Sequence, residues 1–386
     1  SAMTKLVDET RQFVLDYFNA GDDYTVIFTP NASGALKLIG ESYPFNDDSH
    51  YLLAFDNHNS VLGIREYARA KSAQIEYVPL ELPNLNLNYS YLENALKSSD
   101  KTNKLFSYPA QSNFSGVKHE LSWVKKATKL GWDVLLDVAA YVPTNPLDLK
   151  EIQPSFAVMS FYKIFGYPTG LGALIAKKEA LAKLKRPWFA GGTISLASVQ
   201  GDSHFLDEGC AAFEDGTINY LNIPAIKIGL EHIQSIGLDN IKVRLNALTD
   251  YLLKSLLELK HSNQEPLLKI YGPETIENRG STVTLNFYDA NKNLINHHII
   301  EQEANKAMIS LRTGCFCNPG TGESAFGITQ QELTSCFAEA ETRLTIDDLQ
   351  LCIDGKNSGA VRISLGLVSN FSDVEQFIEF AKGFLS

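Results

Sequence analysis

SFYKIFGYPTGLGALIA, residues 160–176, sets a single lysine between two apolar runs. FAVMSF (156–161) and LGALIA (171–176) have the length and residue types of strands buried on both faces, and Lys163 falls in the connection between them beside Gly166, Pro168 and Gly170. Upstream, YTVIFT (24–29), HYLLAF (50–55), AQIEYVPL (73–80), KLFSYPA (104–110) and DVLLDV (133–138) repeat the strand signature, separated by helical segments near 61–70, 89–98 and 119–130. Strands alternating with helices predict an α/β protein with a mainly parallel central sheet covered by helices on both faces. A further helix is predicted over 4–19, ahead of the first strand. Beyond Pro224, helical stretches near 225–236 and 238–260 lead into STVTLNFY (281–288), GAVRISLG (359–366) and an amphipathic helix at 372–385, which predict a smaller α+β unit. This divides the chain into a large domain, 1–225, and a linking helix with a small C-terminal domain, 226–386.

Composition narrows the function classes. Of 386 residues, 44% are hydrophobic and 20% charged, the balance of a folded globular chain. The 45 acidic against 34 basic side chains give a net charge of −11, which opposes non-specific binding to nucleic acid or to an anionic membrane. No apolar run of about 18 residues and no leader pattern is present, so a cytoplasmic protein is expected. Five cysteines, few and odd in number, make a disulfide framework an unexpected outcome.

Several motifs carry chemistry. Lys163 reads either as a strand-end lysine reaching water or as an amine desolvated by apolar neighbours and able to form a Schiff base. FTPNASGALKLIG (28–40) passes from strand to helix through small residues; it suits a phosphate at the helix N-terminus or a plain N-cap at Asn31 or Ser33. Asp137 ends the strand DVLLDV, where it can face a ligand at the carboxyl edge of the sheet or cap the next segment. His58, in DNHNS, follows another strand at the same edge and is placed to stack on a planar ligand or to serve the fold alone.

LRTGCFCNPGTG (311–322) admits a metal clamp, a redox pair or a nucleophile with a neighbour. Zinc would need two more ligands from Cys336 and Cys352, the only other thiols nearby, and the spacing fits no usual CxxC pattern; we expect no metal. A disulfide between Cys315 and Cys317 would be strained, because residues separated by one other flank opposite sides of an extended segment. Glycines 314, 320 and 322 fit a mobile loop and equally fit ordinary turns.

Together, SFYKIFGYPTGLGALIA, FTPNASGALKLIGESYPF, NHNSVLGIREYA and LRTGCFCNPG resemble the aminotransferase-like domain of the molybdenum cofactor sulfurases, within the class V PLP enzymes of fold type I that include the cysteine desulfurases. The resemblance implies that Lys163 holds pyridoxal 5'-phosphate as a Schiff base, Asp137 pairs with the pyridine nitrogen and His58 stacks on the ring. It implies a phosphate held by Ala32, Ser33 and Ser160, with Thr217 contributed by a neighbouring subunit and hence a homodimer. Asn113 would lie near the cofactor's phenolic oxygen and the substrate carboxylate, and Arg362, with Arg312, would bind that carboxylate. Cys317 becomes the nucleophile and Cys315 its neighbour: L-cysteine yields alanine, and a Cys317 persulfide passes sulfur to an acceptor.

Against the family pattern, the sequence starts close to the first long helix and ends at Ser386 without the cofactor-carrying domain, which leaves the sulfur acceptor open. NPGTG replaces a pattern with a third loop cysteine, and Tyr162 stands where bacterial desulfurases have histidine. Two other functions are compatible with the same residues: a class V aminotransferase or β-lyase acting on another amino acid, and a non-catalytic interaction protein keeping the fold.

Overall fold

A computed structural model of the chain describes residues 1–339, 344–353 and 355–386. Seven strands form the central sheet: β1 (Tyr24–Thr29), β2 (Ser49–Ala54), β3 (Gln74–Val78), β4 (Asn103–Pro109), β5 (Asp133–Asp137), β6 (Phe156–Ser160) and β7 (Gly172–Lys177). Their order is β1-β7-β6-β5-β4-β2-β3, with β7 running against the other six. Alternate residues of each strand enter different cores. Phe106, Val134, Leu136, Ala157 and Met159 face one core, while Leu105, Leu135, Phe156 and Val158 face the other. This is why these strands are apolar throughout: a sheet covered on both sides has no solvent face to mark with polar residues.

Helix α1 (Ala2–Tyr17) covers the first core through Val7 and Val14, and α2 (Ala32–Ser42) covers the second through Ala35, Leu36 and Ile39. Helices α5 (Ile223–Ile236) and α6 (Leu238–Leu257) carry the first core onward to a second sheet. That sheet is antiparallel, in the order β8 (Leu268–Tyr271), β9 (Thr282–Tyr288), β11 (Ala360–Ser364), β10 (Arg312–Gly314), with a two-residue strand, Leu294–Ile295, beside β9. The closing helix α8 (Phe371–Lys382) adds Val374, Phe377 and Ile378 to the same core.

The strand and helix positions expected from the sequence are found with small shifts: the helix expected over 119–130 spans Ser122–Lys129, and that over 61–70 is two short helices meeting at Gly63. Three features were not expected. A hairpin, Ile194–Ser198 with Ser203–Leu206, projects with every residue but Ile194 exposed, so no buried face gave it a periodic signal. Helix His297–Lys306 precedes the cysteine segment. Cys336 and Cys352 form a disulfide, against the expectation of unpaired thiols. Helices Gln330–Glu339 and Ile346–Cys352 bring their Cα atoms to 5.9 Å, a proximity created by the fold and invisible in a separation of 16 residues.

Candidate active site

Every element that supplies the site ends at the carboxyl edge of the large sheet. β1 leads through Asn31 into α2, β2 leads to His58, β4 to Gln111 and Asn113, β5 ends on Asp137 and β6 on Ser160. These side chains line a chamber of ≈ 180 Å³ together with Lys163. His58, Gln111, Asn113, Tyr162 and Lys163 also border an outer mouth of ≈ 500 Å³, whose other wall carries Arg312, Phe316, Cys317 and Arg362 from the small sheet and its loop.

The chamber's turn is built for close approach. Ser160 Oγ accepts from the Ala32 N–H at 2.9 Å, and Asn31 caps α2 by accepting from the Gly34 N–H at 2.9 Å. Ser33 and Ser60 hydroxyls meet at 2.6 Å, joining this turn to the one after His58. Gly172 lies behind the turn, where a Cβ would sit 2.5 Å from the Asn31 carbonyl carbon and 2.7 Å from Met159 O, so only glycine lets β7 back it. With the Ala32 and Gly34 amides taken by Ser160 Oγ and Asn31 Oδ1, the Ser33 N–H and the positive end of the helix dipole remain at this point.

Asp137 is buried; one carboxylate oxygen accepts from the Ala139 N–H at 3.0 Å, and the side chain makes no other hydrogen bond among the described residues. Asp137 caps the next turn and also lines the chamber. His58 likewise combines a capping bond with a place in the chamber lining. It caps the short helix α3 (Asn59–Leu62), with Nδ1 accepting from the Ser60 N–H at 3.1 Å, which places the ring proton on Nε2. Burial lowers its pKa, the Asp137 carboxylate pulls the other way, and the Lys163 and Arg362 charges lower it further.

Lys163 stands on a single helical turn, α4 (Tyr162–Phe165), and makes no hydrogen bond or ion pair among the described residues. It is exposed in the single chain, so of the two settings its sequence allowed, the structure shows the lysine reaching water. Thr217 is also exposed and lies outside this chamber, lining a separate cavity with Gly34 and Gly170. Gln111, which the sequence reading missed, borders both cavities; its signal was its place just past the same strand end as Asn113.

At the mouth, Arg362 and Arg312 sit opposite each other in the β10–β11 register. Burial, and then repulsion from Arg312, hold the Arg362 pKa down to about 10. Its Nη1 donates to Asn113 O at 2.8 Å, its guanidinium lies 4.8 Å from the centre of the Phe316 ring, and its buried Nε has no acceptor. A fixed, desolvated guanidinium with a free N–H is suited to an anionic group. Asn113 lines both chamber and mouth and is tied to the cysteine loop: its Nδ2 donates to Phe316 O at 2.8 Å and its Oδ1 accepts from Asn318 Nδ2 at 2.9 Å. One Nδ2–H of the amide remains for a ligand.

Cys317 is exposed at this mouth. Phe316 and Cys317 have φ of 55° and 56°, two consecutive side-chain-bearing residues in the left-handed region, at a cost of about 1–2 kcal/mol each. The Asn59 N–H donates to Cys317 O at 2.7 Å, and Phe316 is packed against Phe114. Helix α7 (Pro319–Phe326) follows at once, and a Cβ on Gly320 would lie 1.9 Å from Phe55 O. The loop is therefore fastened, and Gly320 is a packing glycine, a role beside the mobile-loop and turn readings that its sequence left open. Cys336 and Cys352, bonded to each other, are not ligands for a metal at Cys315 and Cys317.

The class-V aminotransferase family model matches residues 1–377, and the chain belongs to that family. The molybdenum cofactor sulfurase of Oryza sativa subsp. japonica is 37% identical over 420 residues, covering 98% of this chain and 50% of the relative. The human molybdenum cofactor sulfurase is 36% identical over 400 residues, covering 97% and 44% respectively, so the chain spans about half the length of these curated relatives. Among solved structures, the apo cysteine desulfurase from Thermococcus onnurineus NA1 shares the fold with a TM-score of 0.79 at 22% identity, covering 100% of this chain and 84% of that one. No described helix is long and apolar enough to cross a membrane.

Proposed function

We propose that this member of the class-V aminotransferase family is a pyridoxal phosphate-dependent cysteine desulfurase of the molybdenum cofactor sulfurase type. The observation that carries the reading is the shared mouth, which is lined by a lysine amine with no hydrogen bond or ion pair among the described residues, by an exposed cysteine thiol and by two arginines. The names of the relatives support the same activity.

The chamber's polar atoms fit the cofactor. The α2 N-terminus with Ala32, Ser33 and Ser160 would hold the phosphate, Asp137 the ring nitrogen through its unengaged oxygen, and Lys163 Nζ the aldehyde carbon. His58 and Asn113 would border the ring. Bound there, pyridoxal phosphate supplies the electron sink that makes the α-hydrogen of an amino acid acidic. Lys163 takes up and returns protons. Arg362, whose Nη2 has no hydrogen bond among the described residues, and Arg312 beside it receive the substrate carboxylate. Cys317 sulfur attacks the sulfur of L-cysteine: an S–S bond forms, the Cβ–S bond breaks, and a proton goes to Cβ. The balance is L-cysteine plus the Cys317 thiol giving L-alanine plus a Cys317 persulfide, and an acceptor reaching the mouth takes the sulfur.

We infer a homodimer. Leu196, Val199, Phe205 and Leu221 are 61%, 99%, 66% and 84% exposed, apolar groups that a second copy could cover, in the same segment as Thr217. Thr217 would then serve the partner's phosphate turn. Sedimentation at micromolar concentration is expected to give the mass of two chains; a single-chain mass at every concentration removes the dimer. The activity is tested by incubating the chain with pyridoxal phosphate and L-cysteine. Equal amounts of alanine and transferable sulfur are expected, with the peptide holding Cys317 one sulfur atom heavier. Pyruvate and free sulfide in their place would favour a β-lyase.

A further inference from the structure

We propose that Asn318 is a positioning residue for the Cys317 thiol, its buried amide latching the cysteine turn to the ends of β2 and β4. This rests on the desulfurase reading above. The Asn318 side chain is fully buried and all its polar atoms are engaged. Its Nδ2 donates to Asp56 O at 2.8 Å and to Asn113 Oδ1 at 2.9 Å. Its Oδ1 accepts from Thr321 N at 3.2 Å and Thr321 Oγ1 at 2.8 Å, which caps α7. The Asn318 N–H closes the turn by donating to Cys315 O at 2.9 Å.

The two acceptors are themselves immobilised. Asp56 is fixed by a fully buried contact of its carboxylate with His119 Nε2 at 2.7 Å. Asn113 passes the restraint on, donating to Phe316 O at 2.8 Å and accepting from Arg362 Nη1 at 2.8 Å through its carbonyl. One amide thus joins the left-handed Phe316–Cys317 backbone to the large sheet, while the Arg362 bond goes to the Asn113 main-chain carbonyl and does not depend on that amide. Asparagine is required by the donor count: serine or aspartate could cap α7 through an oxygen, but neither supplies two N–H donors.

The test compares wild-type protein, Asn318→Ser, which keeps a capping hydroxyl and loses both donors, and Thr321→Val, which removes one arm of the cap and keeps both donors. Three readouts are taken on the chain with pyridoxal phosphate. Amide hydrogen exchange at Asn59 and Asn318, which bond Cys317 O and Cys315 O, is expected to accelerate by about tenfold or more in Asn318→Ser only. The Cys317 persulfide formed from L-cysteine is expected to fall by about tenfold or more in the same variant. Deuterium exchange into the α-position of L-alanine, which needs Lys163 and not Cys317, is expected to stay within about twofold of wild type. Unchanged amide exchange in Asn318→Ser, a persulfide yield within about twofold of wild type, or alanine exchange falling in step with the persulfide would each overturn the latch. If the wild-type chain forms no persulfide while amide exchange still rises in Asn318→Ser, the desulfurase reading fails and the latch stands.

Discussion

Lys163→Ala is expected to abolish the absorbance band of lysine-bound pyridoxal phosphate and to lower alanine formation from L-cysteine by about a thousandfold or more. The size follows from two roles carried by one amine: it would hold the cofactor in the chamber, and it would carry protons to and from the substrate. Folding should be untouched. Lys163 is exposed and makes no hydrogen bond or ion pair among the described residues, so its removal strands no buried partner, and the stability change is expected within about 0.5 kcal/mol. Thermal unfolding beside the absorbance spectrum separates the two effects. A variant that keeps the band would show that another amine holds the cofactor.

Cys317→Ser is expected to eliminate the persulfide and lower alanine formation by about a hundredfold or more, while the cofactor band and deuterium exchange into L-alanine persist. Serine fits the same space and leaves the Asn59 N–H bond to the residue 317 carbonyl in place, so the loop keeps its shape. What is lost is a polarisable thiolate able to take sulfur from the substrate. If the variant still consumed L-cysteine at the wild-type rate and released sulfide, the thiol would be incidental and the protein a β-lyase. The fastening of the loop adds a further consequence for the proposed function: sulfur would leave by an acceptor entering the mouth, since Gly320 packed on Phe55 and the Asn113 and Asn318 bonds oppose an outward swing of Cys317.

The large sheet was legible because its strands are buried on both faces. DVLLDV and FAVMSF carry no polar stripe, and their ends, Asp137 and Ser160, lie where a parallel sheet gathers ligand groups. Lys163 and Cys317 stood out in the sequence only in company, since either alone reads as a surface lysine or an ordinary thiol, and the fold brings both to one cavity. The latch was not legible: Asn318 bonds Asp56 across 262 residues and Asn113 across 205, distances that no local pattern spans. The role of Gly320 stayed open for a related reason. Whether glycine frees a loop or admits a neighbour depends on what lies against it, and Phe55 O belongs to another strand end. The disulfide was missed because a helix pair, and not the cysteine spacing, brings Cys336 and Cys352 together.

The central claim is that one amine, at position 163, carries pyridoxal phosphate within reach of the thiol at 317. Loading the chain with the cofactor, reducing it with borohydride and mapping the peptides by mass spectrometry tests this directly. A phosphopyridoxyl group on the peptide holding Lys163 is the result expected. Its appearance on a different lysine, or no stable label at all, would contradict the account.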